Sequence, residues 1–499
     1  MKFKFLSVCF LFNLLAIEAQ VHIGPGQAYS SIQMAVNRNA VKPGDTVYLH
    51  AGNYAAYQLI LNLNGNSTNW ITITRFQNDS IEISGGWQFV SCTYLHFTNL
   101  NFRANVNFPG RLFSIDNGGS CATQSKFIRV DHCSFSNVTA SSATVAFKFA
   151  GVDLFEVSNN TFKDIPACEA MSFNTCHQGL IRGNRFENCL SGGHIKGGSS
   201  DITMMQNLFI NASKAPWVAY ELGGDTGAAF YCPGDTFEVR DINFFSNIIV
   251  NSYRGLALSS AKHCKVINNT FYNCEQATMR FLTTSSLYPA LSDNFVENNI
   301  FAFGSTAYFN GGVQFKTAVN FSNNIYYSIL SAVFNGPYWD TPELDLIKDR
   351  NPKNFGATTT MFVDGFKHDF NLIKQSPAIA SGKHQSDPVF DFFGKPFSGA
   401  ARSIGAIEYD EITIEGKLGP TLIQIYPNPV VDRVYIKGIE GSEFVRVEII
   451  DLQGNLAFET SAIATFLQQG IHLSHLKSGL YIIQIKGEQI FELRTIIKI

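Results

Sequence analysis

Short stretches of alternating apolar and polar residues recur along the chain, broken by Gly, Ser and Asn. "HIKGG" at 194–198 and "GLALSS" at 255–260 are two of them. A period of two between turn residues predicts short strands with one face buried. A longer pattern is laid over this one. An asparagine is followed two residues later by Phe or another large apolar residue in "VSNNTF" ending at Phe162, "IRGNRF" at Phe186, "MMQNLF" at Phe209 and "FFSNII" at Ile249. It continues in "VINNTF" at Phe271, "VENNIF" at Phe301 and "FSNNIY" at Tyr326, with a degenerate copy, "VDHCSF", at Phe135. Successive copies lie 22 to 30 residues apart, except for one gap of 40 between Phe209 and Ile249.

A floor near 22 residues with variable additions is a coil of fixed circumference carrying loops. With three short strands per unit and no helical pattern, it predicts an all-β chain built as a right-handed parallel β-helix, a solenoid in which each strand pairs with its counterpart one coil away. Asn269, Asn299 and Asn324 are then expected to stack at one corner. There Asn tolerates left-handed backbone geometry and its amide can bond the amides above and below, while the following Phe points inward. An exposed end of such a stack is an open strand edge that needs a cover. "AYSSIQMAVNRNAVKPGDTVYLHAGNY" supplies an amphipathic capping helix over roughly Tyr29–Asn37 and then a first strand. This stretch resembles the opening segment of pectate-lyase-like β-helix proteins. "SPAIASG" (376–382) and "GAARSIGAIEY" (399–409) resemble their closing segment.

Composition agrees. Hydrophobic residues make up 45% and charged residues only 15%, with 44 Phe and 40 Gly, as suits a strand-rich chain. A net charge of −3 and no local basic cluster argue against nucleic acid as a partner. "MKFKFLSVCFLFNLLAIEAQ" has two lysines, an apolar run and a small residue at Ala19, so residues 1–19 read as a secretory signal peptide. No later segment is long and apolar enough to predict a membrane span. The β-helix is assigned to 20–410, a linker to 411–422 and a small β-sandwich to 423–499. "IQIYPNPVVDRVYIKG", "VRVEIIDLQGNL" and "HLKSGLYIIQIKG", in that order at the C-terminus, resemble the type A sorting domain of the type IX secretion system of Bacteroidetes. The resemblance implies the type IX machinery as a partner, export through the outer membrane and a cell-surface or secreted protein, expected to be a monomer. Nine cysteines remain after Cys9, with no C-x-x-C pair. Cys168 and Cys189, about one coil apart, could be stacked neighbours or buried free thiols.

Candidate chemistry centres on Lys196. Alternation turns Ile195 inward and His194 and Lys196 outward, and the flanking glycines leave the backbone open to close approach. Lys196 stands eleven residues before Asn207. The same offset one coil earlier falls at Phe173, beside outward Ser172 and Asn174. On the other side Arg254, Ser259 and Arg280 are expected on the same wall, a spacing of cations suited to an anionic sugar. The insertion Asn211–Asp241 carries Trp217, Tyr220 and Tyr231 with Glu221, Asp225 and Asp235, aromatic faces beside carboxylates as carbohydrate grooves use them. Glu221 and Asp225 could alternatively form a hydrolase carboxylate pair.

"HIKGGSSDITMMQNLF" resembles the catalytic strand of family 6 polysaccharide lyases. The resemblance implies Lys196 as the base that removes the proton α to a uronate carboxyl, with an arginine assisting the leaving oxygen; Arg280 is the substitute on geometry, and His194 is a further candidate. It would also imply calcium, yet the positions of the family's acidic ligands read "ENCLSGGHI" here, with only Glu187 near. The sequence thus points to a carbohydrate-active protein, most concretely a lyase acting on an acidic polysaccharide by β-elimination. A non-catalytic polysaccharide-binding or adhesive protein and a glycoside hydrolase on the same fold stay open, because the fold alone decides little.

Overall fold

A computed structural model describes residues 20–104, 110–139, 143–306, 308–311, 318–339, 349, 351–397, 401–409, 424–437, 444–451, 456–463, 470–486 and 491–499. The expected signal peptide and the 411–422 linker lie outside the described residues. Parallel strands stack coil on coil from Gln20–Ile23 to Val319–Ser322 in one 13-stranded sheet, and the remaining faces of the coils form a 21-stranded sheet. The architecture is the expected parallel β-solenoid.

The asparagine corner explains why the coils keep step. From Asn184 onward each asparagine Oδ1 accepts both the backbone N–H and the side-chain N–H of the asparagine one coil before it. Asn184 donates both to Asn207 at 2.9 and 3.0 Å, and Asn207 donates both to Asn247 at 2.9 Å. The second amide hydrogen reaches a strand carbonyl, as from Asn207 Nδ2 to Ile181 O at 3.0 Å. The run extends from Asn160 through Asn269 and Asn299 to Asn324, which donates to Asp349, an acceptor-only group that ends it. The left-handed residue, however, is the one before each ladder position. Asn159, Gly183, Gln206, Ser246, Asn268, Asn298 and Asn323 have positive φ, which frees the ladder asparagine to point inward. Two residues on, the rings stack: Phe135 on Phe162 at 4.8 Å, Phe162 on Phe186 at 5.0 Å and Phe186 on Phe209 at 4.5 Å.

The capping helix is shorter than expected, Ile32–Asn37, because Ser31 leaves the helix to cap it, its side chain accepting from the Met34 N–H at 3.1 Å. Buried Ile32 and Ala35 cover the first coil. The segment expected to close the far end instead runs back along the side. Asn268 Nδ2 donates to the carbonyls of Ser403 and Gly405, and Ile404, Ala406, Met361 and Phe370 pack on Ile248, Val250, Tyr272 and Ile300. The reason is that the strands after the corner, such as Ile248–Val250, are apolar on both faces and need an outer cover.

The described residues of 424–499 form two antiparallel sheets, of three and four strands, around a shared core that includes Val434, Ile436, Val447, Ile449 and Ile483. Ile450 and Ile482 of this unit pack on Leu180, Met205 and Phe245 of the solenoid, and Thr495 donates to Glu156 at 3.0 Å. Cys168 and Cys189 are buried free thiols, since Cys189 pairs in register with Ile165 rather than with Cys168. The disulfide joins Cys121 to Cys232. Burial pushes the thiols of Cys92, Cys176 and Cys264 up to about 12, so they pack as small apolar groups.

Asn207→Ala leaves two buried donors of Asn184 without an acceptor and deletes the bonds of its own amide. The expected loss of stability is roughly 3 kcal/mol, from about 1–3 kcal/mol per orphaned buried group, read from the midpoint of chemical unfolding. A loss below about 1 kcal/mol would show that the stack is incidental to stability.

Candidate active site

Five parallel strands build a polar wall: Gly110–Asp116, Ala143–Ala150, Thr161–Asn174, Arg185–Lys196 and Tyr220–Gly223. Phe147, Phe149, Met171, Phe173, Ile195 and Leu222 alternate inward and are fully buried. The residues between them face out in two rows. Lys148, Ser172, His194 and Glu221 are successive partners in one; Asp116, Ala150, Asn174 and Lys196 are successive partners in the other. Lys196 therefore stands beside Asn174, one residue from the position reached by counting back to Phe173.

The glycines around Lys196 serve the protein's own backbone. A Cβ on Gly193 would lie 1.9 Å from the carbonyl oxygen of Met171, and one on Gly192 would lie 2.2 Å from that of Ala219. Gly197 and Gly198 turn the chain at positive φ, and a Cβ on Gly198 would meet Asp235 at 2.5 Å. The expectation that these glycines admit a ligand gives way to close packing between strands and against the insertion.

The part of the insertion after Tyr220–Gly223, residues 224–238, lies over the end of this wall and is pinned at several points. Cys232 is bonded to Cys121, Thr175 Oγ1 donates to the Phe230 carbonyl at 2.6 Å, and Asp225 accepts from the N–H and hydroxyl of Ser286 at 2.8 and 2.9 Å. Glu238, fully buried, accepts from Thr226, Tyr231, Ser285 and the Gly197 N–H. Between insertion and wall lies an open groove of about 390 Å³, lined by Arg111, Lys148, Glu169, Ser172, Asn174, His194 and Lys196 on one side and Asp225, Thr226, Gly227 and Phe230 on the other.

Electrostatics differ from group to group in this groove. Burial, with Arg111 and Lys196 nearby, pushes the Lys148 ammonium below the ordinary lysine range. Burial alone would raise Glu169, but His194, Lys196 and Lys148 outweigh it and hold the carboxyl low. Glu221 is raised, by burial first, with the charge of Glu169 adding to it against Ser259, His194 and Lys196. His194 is held between Glu169 Oε1, 3.0 Å from Nδ1, and Ser172 Oγ, 2.9 Å from Nε2.

The expected residues separate into groups. Lys196, His194 and Asp225 share the groove, and Glu221 flanks His194 on the next strand. Arg280 lies on the same row two strands beyond Glu221, bonded to Asn310 at 3.0 Å; three strand spacings put it roughly 14 Å from His194. Tyr231 holds the insertion through Glu238. Trp217 is 41% exposed and Arg254 donates to the Pro216 carbonyl and to Gln276, a cluster at the opposite end of the strands and outside the groove lining. Tyr220 is fully buried against Phe209, so its ring offers no face to a ligand. Lys148, Arg111 and Glu169 were not anticipated. "AFKFAG" carried the signal for Lys148, a cation between two inward Phe one coil before Ser172. Among the described residues no group of three or more His, Cys, Asp or Glu is arranged to hold a metal ion, and none of their helices is long and apolar enough to cross a membrane. The acidic set that calcium would need does not assemble around Lys196.

Residues 424–499 match the protein family described as a secretion system C-terminal sorting domain. Solved structures of similar shape include the pectate lyase Pel9A, with 12% identity and a TM-score of 0.46 over 79% of this chain and 97% of that one. XylC in complex with xylose matches at 10% identity and a TM-score of 0.44, over 78% of this chain and 98% of that one. The PL6 family polysaccharide lyase Pedsa3628 from Pseudopedobacter saltans matches at 13% and 0.33, over 77% and 98%. No curated protein matches the chain.

Glu221 gives a pH test of the site. Its carboxyl is raised in the folded chain above the ordinary 4.5, so the unfolded chain releases the proton first as pH rises. Stability therefore falls with rising pH from about 4.5 up to the raised value. Glu221→Gln is expected to flatten that part of the profile and to be the more stable form above it, measured as melting temperature against pH.

Proposed function

We propose that this protein is exported by the type IX system and acts outside the cell as a lyase on an acidic, uronate-containing polysaccharide, cutting it by β-elimination. The observation that carries the reading is the convergence of Arg111, Lys148 and Lys196 on one open groove in a chain with no net positive charge. Three cations in so small a space suit a carboxylated chain. The sorting-domain match supports export, which is where such a polymer is met.

In this reading Lys196 and Arg111 hold the uronate carboxylate and stabilise the negative charge that spreads onto it as the α-proton leaves. Lys148, displaced toward its neutral form by burial and by those same cations, takes the proton. It thereby fills the role that the sequence resemblance gave to Lys196. The C–H electron pair becomes the new ring double bond, the glycosidic C–O bond breaks, and the departing oxygen takes a proton from water in the open groove. Arg280, a few strands along the same row, grips a sugar further down the chain. Calcium enters no step.

A second reading has its own observation. A raised Glu221 and a lowered Glu169 on either side of His194 are environments that push two carboxyls apart, as an acid and base pair in a glycoside hydrolase requires. Incubation with alginate, pectate and chondroitin separates the readings. Ultraviolet absorbance from unsaturated uronate ends is expected. New reducing ends without that absorbance would mean hydrolysis, and binding with neither signal would mean a non-catalytic polysaccharide-binding protein.

Lys148→Ala is expected to lower kcat by about 10²-fold or more, the scale of general-base catalysis, with the fold intact by melting temperature. Lys196→Ala is expected to act chiefly through KM for the charged polymer. Loss of kcat in Lys196→Ala with little change in Lys148→Ala would reverse the two roles.

A further inference from the structure

Ser172, His194 and Glu169 make an arrangement that β-elimination does not need. Ser172 Oγ lies 2.9 Å from His194 Nε2, and His194 Nδ1 lies 3.0 Å from Glu169 Oε1. Asn174 Nδ2 donates to the same Ser172 Oγ at 2.9 Å. With one lone pair of Oγ engaged by Asn174, the hydroxyl hydrogen is free to point at Nε2. An ionised Glu169 accepts from Nδ1–H, leaving Nε2 as the acceptor. Every hydrogen bond thus has one consistent direction, from serine to histidine and from histidine to carboxylate. This is the nucleophile, base and orienting acid of acyl transfer. Ser172 and His194 are direct register partners, and Glu169 lies three residues before Ser172 on the same strand, so the backbone ladder holds all three. Ser172 is 4% exposed, at the floor of the groove, and each member of the set lines that groove.

We propose that Ser172, His194 and Glu169 form a serine-hydrolase triad that removes an acyl group esterified to a hydroxyl of the sugar chain lying in the groove. Ser172 Oγ attacks the ester carbonyl carbon while its proton passes to His194 Nε2. The carbonyl electron pair moves onto oxygen, and Lys196, which lines the same groove in register with Asn174, is the cation that stabilises it. Collapse breaks the acyl–oxygen bond, and the sugar oxygen leaves with the proton from His194. Water, deprotonated by His194, then cleaves the acyl-serine to release a carboxylic acid and restore Ser172. Glu169 is a positioning residue that holds the tautomer and stabilises the imidazolium. The activity stands apart from backbone cleavage, since an ester can be removed whether or not the polymer is cut.

The test uses the full chain, a fluorophosphonate probe, p-nitrophenyl acetate and an O-acetylated uronate polymer. A covalent adduct mapped to Ser172 is expected, with acetate release that Ser172→Ala abolishes at unchanged melting temperature. Glu169→Gln is expected to slow ester hydrolysis by up to about 10⁴-fold and to move the acid limb of its pH–rate profile, which a merely structural partner would leave in place. No adduct on Ser172, or acetate release equal in wild type and Ser172→Ala, would overturn the proposal. A de-esterified polymer run in parallel reads β-elimination alone, so a failed lyase assay is distinguished from a failed esterase assay.

Discussion

Stacked asparagines close the corner of each coil with bonds from the chain itself, Asn184 to Asn207 and Asn207 to Asn247 among them. Along a solenoid each coil must satisfy its corner amides without water, because the corner residues are fully buried. A side chain that both donates and accepts, repeated at one position, does this coil after coil, and no other residue type but glutamine carries the same pair of groups. Because each Oδ1 from Asn184 onward takes two bonds from the coil before it, a slip of one residue would leave two donors unpaired and turn Phe162, Phe186 and Phe209 out of the core. Register is therefore enforced from both sides of the backbone.

That register places the chemistry. Lys148, Ser172, His194 and Glu221 come from strands separated in sequence by loops and by other strands, yet they form a straight row because the strands bearing them are in parallel register. A rigid row with a pinned insertion beside it is a preorganised site: its cations and hydrogen-bonded groups are set in place by packing before any ligand arrives. Where the outer surface is apolar instead, it is covered. Residues 361–397 and 401–407 lie on the strands after the corner, and the C-terminal unit lies on Leu180, Met205 and Phe245. The groove lies outside both covers and stays open.

The buried polar groups around the groove divide into those that hold and those that are available to react. Glu238 is surrounded by hydroxyls and a backbone N–H and anchors the insertion. The disulfide does the same from the other side, joining segments 111 residues apart. Glu169 and His194, in contrast, are linked to a hydroxyl on the groove floor and stand beside two lysines, so their partners face a space a ligand can fill.

The residues alone made legible the repeat, the stacking asparagines, the inward Phe, the outward direction of His194 and Lys196, the capping helix and the C-terminal sorting domain. All but the last follow from short-range rules, strand alternation, turn residues and a corner repeated at a near-constant interval; the sorting domain rested on the resemblance of its three sequence blocks. Contacts between coils set what remained. Counting residues across coils missed the partner of Lys196 by one position, because loop lengths between corners vary and strand pairing alone sets the offset. Tyr220 sits among candidate sugar-binding aromatics in sequence, yet its strand turns it into the core. Cys121 and Cys232 meet because two loops on different coils fold over the same wall. The lowered lysine is Lys148 because burial and two cations from neighbouring strands act on it together, and electrostatic neighbours of that kind exist only once the coils are stacked.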